Sequence, residues 1–195
     1  IVRIDHFRGF AGYWEIPASE PTAVNGRWVE APGDELFEAL KKELGSEVPV
    51  IAEDLGIITP DVVALRERHG FPGMKVMQFA FGGDTLAQEY IPENYPEDCV
   101  AYTGTHDNDT TLGLFRSGPG GDTTRTPEQV EAERLNITGY TGTDGSELNW
   151  DFMERVMASQ ARLTIAPLQD VLGLGTEARM NVPGIYVYAG TIKPG

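Results

Sequence analysis

Three acids stand where an acid is costly. Asp5 closes the apolar run "IVRI", Glu53 closes "VPVIA", and Asp107 follows "CVAYTGTH". A carboxylate at the end of a buried strand must be paired or have work to do, because taking it out of water is expensive. Two such groups on neighbouring strand ends could cleave a glycosidic bond, one ionised as nucleophile or base and the other protonated as acid. Arg3 lies two residues before Asp5, so strand alternation puts both side chains on one side and keeps Asp5 anionic. Glu53 leaves an apolar run, the kind of surroundings that hold a carboxyl's proton. The plain alternative for Asp5 is an ion pair with Arg3 or Arg8 and no chemistry.

The elements that must position these acids are legible along the chain. Apolar, β-branched runs predict strands over 1–5, 49–53, 74–80, 99–104 and 163–169. Between them, "GDELFEALKKEL" (33–44) places Leu36, Phe37, Leu40 and Leu44 on one helical face, with Asp34 as its cap. Thr59, Pro60 and Asp61 open a second helix that Gly70 stops, and His69 is read as a charge near its C-terminus. A Thr126-to-Gln129 capping box opens a third over 126–135, and a long helix begins at 149. Unalternating strands separated by helices mean a parallel sheet covered by helices. Asp5, Glu53, His106, Asp107 and Gln169 all fall at or just past strand C-terminal ends, which is the catalytic face of a (β/α)8 TIM barrel. A doubly wound sheet advertises a glycine-rich phosphate loop, and none follows a strand here; "SGPGGD" (117–122) is read as a loop. The predicted fold class is therefore α/β, a (β/α)8 barrel of which this chain holds roughly the last five strands. The absence of an initiator Met and a start inside a strand give the expectation that an N-terminal portion of the same barrel precedes Ile1.

Composition narrows the partners. The 195 residues carry 30 Asp and Glu against 15 Lys and Arg, a net charge of −15. Such a surface repels phosphate backbones and anionic lipid, so no nucleic acid and no membrane is expected, and neutral ligands suit it better. No apolar run approaches the about 20 residues of a membrane span, and no signal peptide is expected. The lone Cys99 permits no internal disulfide and reads as a small apolar strand residue. No ligand cluster has metal spacing, so no metal and no organic cofactor is expected.

The motifs "VRIDHFRGF", "IAEDLG" and "YTGTHDNDT" resemble, in order, the strand-end motifs of amylomaltases, the 4-α-glucanotransferases of the α-amylase clan. "YWEIPASEPTAVNGRWVEAPGDELF", "GFPGMKVMQFAF", "APLQDVLGLG" and "ARMNVPG" resemble flanking stretches of that family. The resemblance covers residues 1 to about 184 and implies one barrel portion over 1–184, with 185–195 a tail outside the family pattern. It implies Asp5 as nucleophile, Glu53 as general acid/base and Asp107 as a third acid that holds sugar hydroxyls. It implies Arg3 as the partner of Asp5, and His6 and His106 as donors to the sugar. Asp54 is implied as an acceptor-glucose contact, the alternative being a solvated or capping role. Asn181 resembles a substrate-contact position. Tyr13 and Trp14 offer sugar-stacking faces, packing being the other reading. The activity so implied moves α-1,4-glucan segments (maltooligosaccharides, amylose) to another glucan or to glucose by a retaining double displacement, in the cytoplasm or, in a plant, the plastid. An α-amylase-like hydrolase is the alternative, but "GTHDNDT" stands where such relatives carry Asn-His-Asp. A second alternative is an inactive, glucan-binding fragment.

Overall fold

A short buried strand paired with a half-exposed one anchors the first of two units, residues 1–74. The computed structural model describes residues 1–83, 85–118 and 125–183. In the first unit β1 (Val2–Ile4) leads to a 3-10 turn over Phe7–Phe10, then to β2 (Gly12–Glu15), β3 (Arg27–Glu30), α1 (Gly33–Leu44), β4 (Val50–Ala52) and α2 (Pro60–His69). β1 and β4 are parallel, with Val2 opposite Val50, Arg3 opposite Ile51 and Ile4 opposite Ala52. The core beneath them is Phe7, Phe37, Val50, Ala52, Val62, Leu65 and Phe71. Its aromatic centre stacks Phe7 on Phe37 at 5.4 Å and sets Phe71 edge-on to Phe37 at 5.1 Å.

β2 and β3 pair antiparallel, Trp14 opposite Trp28. No strands are predicted there, because the loop between them is long and lacks the two-residue turn that marks a hairpin. The expected apolar face of α1 narrows to Phe37 and Leu40, since Leu36 and Leu44 are exposed. Asp34 does not cap α1, which starts at Gly33 after Pro32. Its carboxylate reaches instead to α2, where it accepts from Arg68 and bonds His69 Nε2 at 2.8 Å. His69 is accordingly no exposed terminal charge. It is buried between Phe37 and Phe71, because α2 turns that face into the core. Gly70 ends α2 in the left-handed conformation, φ 70°, as its stop reading requires.

In the second unit, from Lys75 onward, the sheet order is β5 (Gly73–Val76), β6 (Cys99–Tyr102) and β7 (Leu163–Ile165). β6 and β7 are parallel, Val100 opposite Leu163. The strand expected over 74–80 ends at Val76, and residues 77–80 form a 3-10 turn. Four helices complete the unit's order: α3 (Thr111–Arg116), α4 (Pro127–Thr141), α5 (Leu148–Ala158) and, after β7, α6 (Leu168–Val171). The capping box at the head of α4 is made in both directions by Thr126 and Gln129. Gln169 lies in α6 and not at a strand end, because Pro167 has no N–H for a ladder and caps a helix. β6 is buried throughout, Cys99 included, and Val76, Met77, Ile137, Leu148 and Phe152 are buried in the same unit. The tail 185–195 and part of "SGPGGD" lie outside the described residues. No described helix is long and apolar enough to cross a membrane.

The Asp34 contacts generate a pH prediction. Hydrogen bonds from His69 and then Arg68 hold its carboxyl below the ordinary aspartate value of 3.8. A lowered folded value stabilises at pH above 3.8 and the contribution is lost as pH falls through it. Asp34→Asn is therefore expected to lower the denaturant midpoint at pH 7 and to leave it nearly unchanged at about pH 2, read from unfolding curves at both.

Candidate active site

Because β1 and β4 run parallel in register, their C-terminal ends release Asp5 and Glu53 side by side. The main chain continues the ladder one step, with the Glu53 N–H donating to Ile4 O at 2.9 Å and the Phe7 N–H to Glu53 O at 3.0 Å. The Glu53 carboxylate is fixed at both oxygens: Oε2 accepts the His6 N–H at 2.7 Å and Oε1 the Leu55 N–H at 2.9 Å. The apolar surroundings expected for it are thus replaced by two backbone amides. His6 is the only non-glycine with positive φ (49°) among the described residues. That conformation is costly for a residue with a Cβ. Its amide bond to Glu53 sets against that cost and turns the chain sharply into the 3-10 turn.

Asp5 faces solvent, with its side chain 75% exposed, and Oδ1 lies 2.7 Å from Arg3 Nη2. Arg3 is steadied from behind by Nε donating to Met74 Sδ at 3.3 Å. The structure therefore brings Arg3, Asp5, His6 and Glu53 together on one rim. A carboxylate that is open to a ligand and charge-paired on one side can attack; a second, held by amides beside it, can exchange a proton.

Asp54 points the other way. Its Oδ2 lies 3.2 Å from Arg66 Nε, Oδ1 accepts the Met74 N–H at 2.7 Å, and the side chain is 15% exposed. A Cβ at Gly73 would lie 2.3 Å from Oδ2, so glycine there is what admits the carboxylate. These contacts tie Asp54 into the unit, which suits a structural role beside the acceptor-contact reading, since neighbouring residues leaving a strand face opposite sides. Trp14 packs against Trp28, ring centroids 5.6 Å apart, and its Nε1–H donates to Ala23 O at 2.9 Å. The Arg8 guanidinium covers Trp28 at 4.9 Å. These contacts shape the hairpin, while Tyr13 and Trp14 each keep an exposed part.

In the second unit the loop after β6 carries His106 and Asp107. His106 Nε2 is 3.4 Å from Asp107 Oδ2. Asp107 Oδ1 accepts from Asn181 Nδ2 at 2.5 Å, so the third acid and the expected substrate contact are neighbours. Arg179, within "ARMNVPG" and not among the predicted site residues, donates to Asp107 O at 2.8 Å and to Asn181 O at 2.9 Å. The available signal was the same as at Arg3, a guanidinium two residues from a candidate site residue.

With this geometry in hand, the comparisons are consistent with one another. The family model described as 4-alpha-glucanotransferase matches residues 1–189. The 4-alpha-glucanotransferase of Thermus thermophilus is 56% identical over 188 residues, 94% of this chain and 36% of that protein. The chloroplastic/amyloplastic enzyme of that name from Solanum tuberosum is 44% identical, over 93% of this chain and 29% of its own length. Among solved structures, amylomaltase from Streptococcus agalactiae in complex with acarbose superposes with a TM-score of 0.78 at 38% identity, over 96% of this chain and 35% of that one. Corynebacterium glutamicum amylomaltase shares the fold at TM-score 0.69 and 20% identity, over 94% and 30%. The chain thus spans about a third of the length of the relatives it matches.

The Asp54 geometry separates a structural role from a sugar contact. Asp54→Ala leaves the mostly buried Arg66 and the Met74 amide without this carboxylate, and is expected to cost about 3 kcal/mol in denaturant unfolding. Unchanged stability with a raised KM for the acceptor sugar is the opposite outcome and favours the acceptor-contact reading.

Proposed function

The chain belongs to the 4-alpha-glucanotransferase family, and on that premise we propose that it carries the reacting carboxylates of an enzyme that transfers α-1,4-glucan segments to another glucan or to glucose. The observation that carries this reading is the 2.7 Å bond from the amide after Asp5 to Glu53 Oε2, which ties two acids of separate strands to one rim. Asp5 attacks the anomeric carbon through a carboxylate oxygen, forming a glycosyl ester, while Glu53 gives its proton to the departing glycosidic oxygen. In the second step Glu53 takes the proton of an incoming sugar hydroxyl, whose oxygen displaces Asp5 from the anomeric carbon. Two inversions give retention. Arg3 orients Asp5, and the His6 and His106 rings bond sugar hydroxyls. Asp107, held by Asn181, grips the donor sugar as it distorts, and Asn181 keeps its second amide atom for the sugar. Such a displacement needs no metal and no organic cofactor. Retaining chemistry sets the Asp5 and Glu53 carboxyls roughly 5–5.5 Å apart in the substrate complex.

Family membership sets the fold as a TIM-barrel enzyme, of which this chain shows pieces. We infer that its five predicted strands are the last five of the eight. The remaining family length is then the N-terminal portion of the barrel. Exposed Ile1 and Val2 in the first unit, and Leu163, Ile165 and Leu168 in the second, are the apolar surfaces that such a portion covers. The compartment proposed is the cytoplasm, or the plastid for a plant source, where the potato and Arabidopsis thaliana relatives act by name.

Two experiments test these readings with maltotriose as donor and acceptor. Asp5→Asn and Glu53→Gln in the intact protein are each expected to lower release of glucose and longer maltodextrins at least about 100-fold. Either variant keeping a tenth of parental activity removes that residue from its role. The 195 residues expressed alone are expected to show no transfer, because each barrel strand needs two neighbours and the site needs a wall that excludes water. Activity near the parental rate overturns the barrel assignment.

A further inference from the structure

The second unit holds a buried carboxylate for which the proposed chemistry has no use. Asp170 on α6 is 1% exposed. Its Oδ1 accepts the Thr111 N–H at 2.8 Å, and Oδ2 accepts the Thr103 hydroxyl at 2.6 Å and the Thr111 hydroxyl at 2.8 Å. None of these donors is a cation. Asn149 Nδ2 donates to its main-chain oxygen at 2.8 Å, which anchors the segment from α5. A carboxylate is an expensive group to bury, and hydrophobic packing could hold α6 in place without one.

Its partners explain the choice. Thr103 is the first residue past β6, and Thr111 is the first of α3; the loop between them carries His106 and Asp107. One carboxylate therefore grips both feet of that loop. Further along the same segment, the Thr176 hydroxyl donates to Asp109 Oδ2 at 2.8 Å. Arg179 then bridges Asp107 O and Asn181 O, and Asn181 meets the Asp107 carboxylate. From the other side Gln78 Nε2 donates to Asp109 O at 3.0 Å, passing Gly104, where a Cβ would lie 2.6 Å from that nitrogen. The loop's own bonds, Thr105 N–H and hydroxyl to Asn108 Oδ1, shape its tip but do not fix where the tip stands.

We infer that residues 168–181 form a clamp that sets the position of the Asp107 carboxylate, with Asp170 and Arg179 as positioning residues that act through Asp107. The inference rests on the reading of Asp107 as the acid that holds the donor sugar. Displacing such a group by about 1 Å costs on the order of 100-fold in rate, so a loop with these duties needs supports outside itself.

The test is a double-mutant cycle in the intact protein, with maltotriose disproportionation and thermal unfolding read together. Asp170→Ala and Arg179→Gln are each expected to lower kcat about tenfold or more while KM moves less than about threefold, and Asp170→Asn to recover most of the loss. In an Asp107→Asn background, Arg179→Gln is expected to change kcat less than about twofold, because the group it positions has already lost its charge. Losses of equal size in both backgrounds overturn the inference and leave a general stabilising role. Should Asp170→Ala fail to fold, the half-buried Arg179 decides alone. Should the parent not act on glucans, the functional reading fails by itself. Hydrogen exchange of the 104–110 amides then decides the clamp: faster exchange in Arg179→Gln than in the parent supports it, and unchanged exchange overturns it.

Discussion

The hydrogen bond from the His6 amide to Glu53 is the constraint on which the first unit's chemistry turns. β1 and β4 supply only three residues each, so their ladder ends where the functional side chains begin. Beyond that point the backbone must turn to let Asp5 face outward, and it does so through a left-handed histidine. A strained turn persists only when its surroundings over-determine it. Here they do: Glu53 takes the amide, the Phe7 N–H returns to Glu53 O, and the Phe7 ring is sunk in the aromatic core on Phe37. The core thus reaches the rim through one residue.

Both units handle acids in the same way. Glu53 and Asp170 are held by amides and hydroxyls, while Asp5 and Asp54 take guanidinium partners. The difference follows exposure and duty. Asp5 is open to water, where an ion pair is weak and can yield to a ligand. Asp54 is mostly buried, where its guanidinium partner holds it in place. A carboxylate gripped by backbone donors keeps a fixed position with no mobile cation to orient, which suits an acid that must meet a bond or brace a loop.

The arrangement also accounts for the placement of glycines that have no turn to make. Gly73 gives way to the Asp54 carboxylate and Gly104 to the Gln78 amide. In each case a Cβ would displace a polar group that ties a strand end to its neighbour.

Much of this was readable in the residues. Apolar runs ending in Asp5 and Glu53 announced strands that release their acids side by side, because a buried strand tolerates an acid only where it leaves the sheet. Thr126 and Gln129 announced a helix start, since a capping box is a contact within four residues. What failed was whatever depended on a distant partner. Asp34 reads as a cap, yet bonds α2; His69 reads as a charge near a helix end, and its ring is sunk in the core. The β2–β3 hairpin was invisible because its strands are short and its loop long. Asp170 carried no local signal, for the threonines that hold its carboxylate stand 59 and 67 residues away in sequence. Local sequence decides which side chains leave a strand and where a helix begins, because those interactions span a few residues. Only the tertiary structure decides which carboxylate is free to react and which is spent on a neighbour, because that depends on donors the chain brings together by folding.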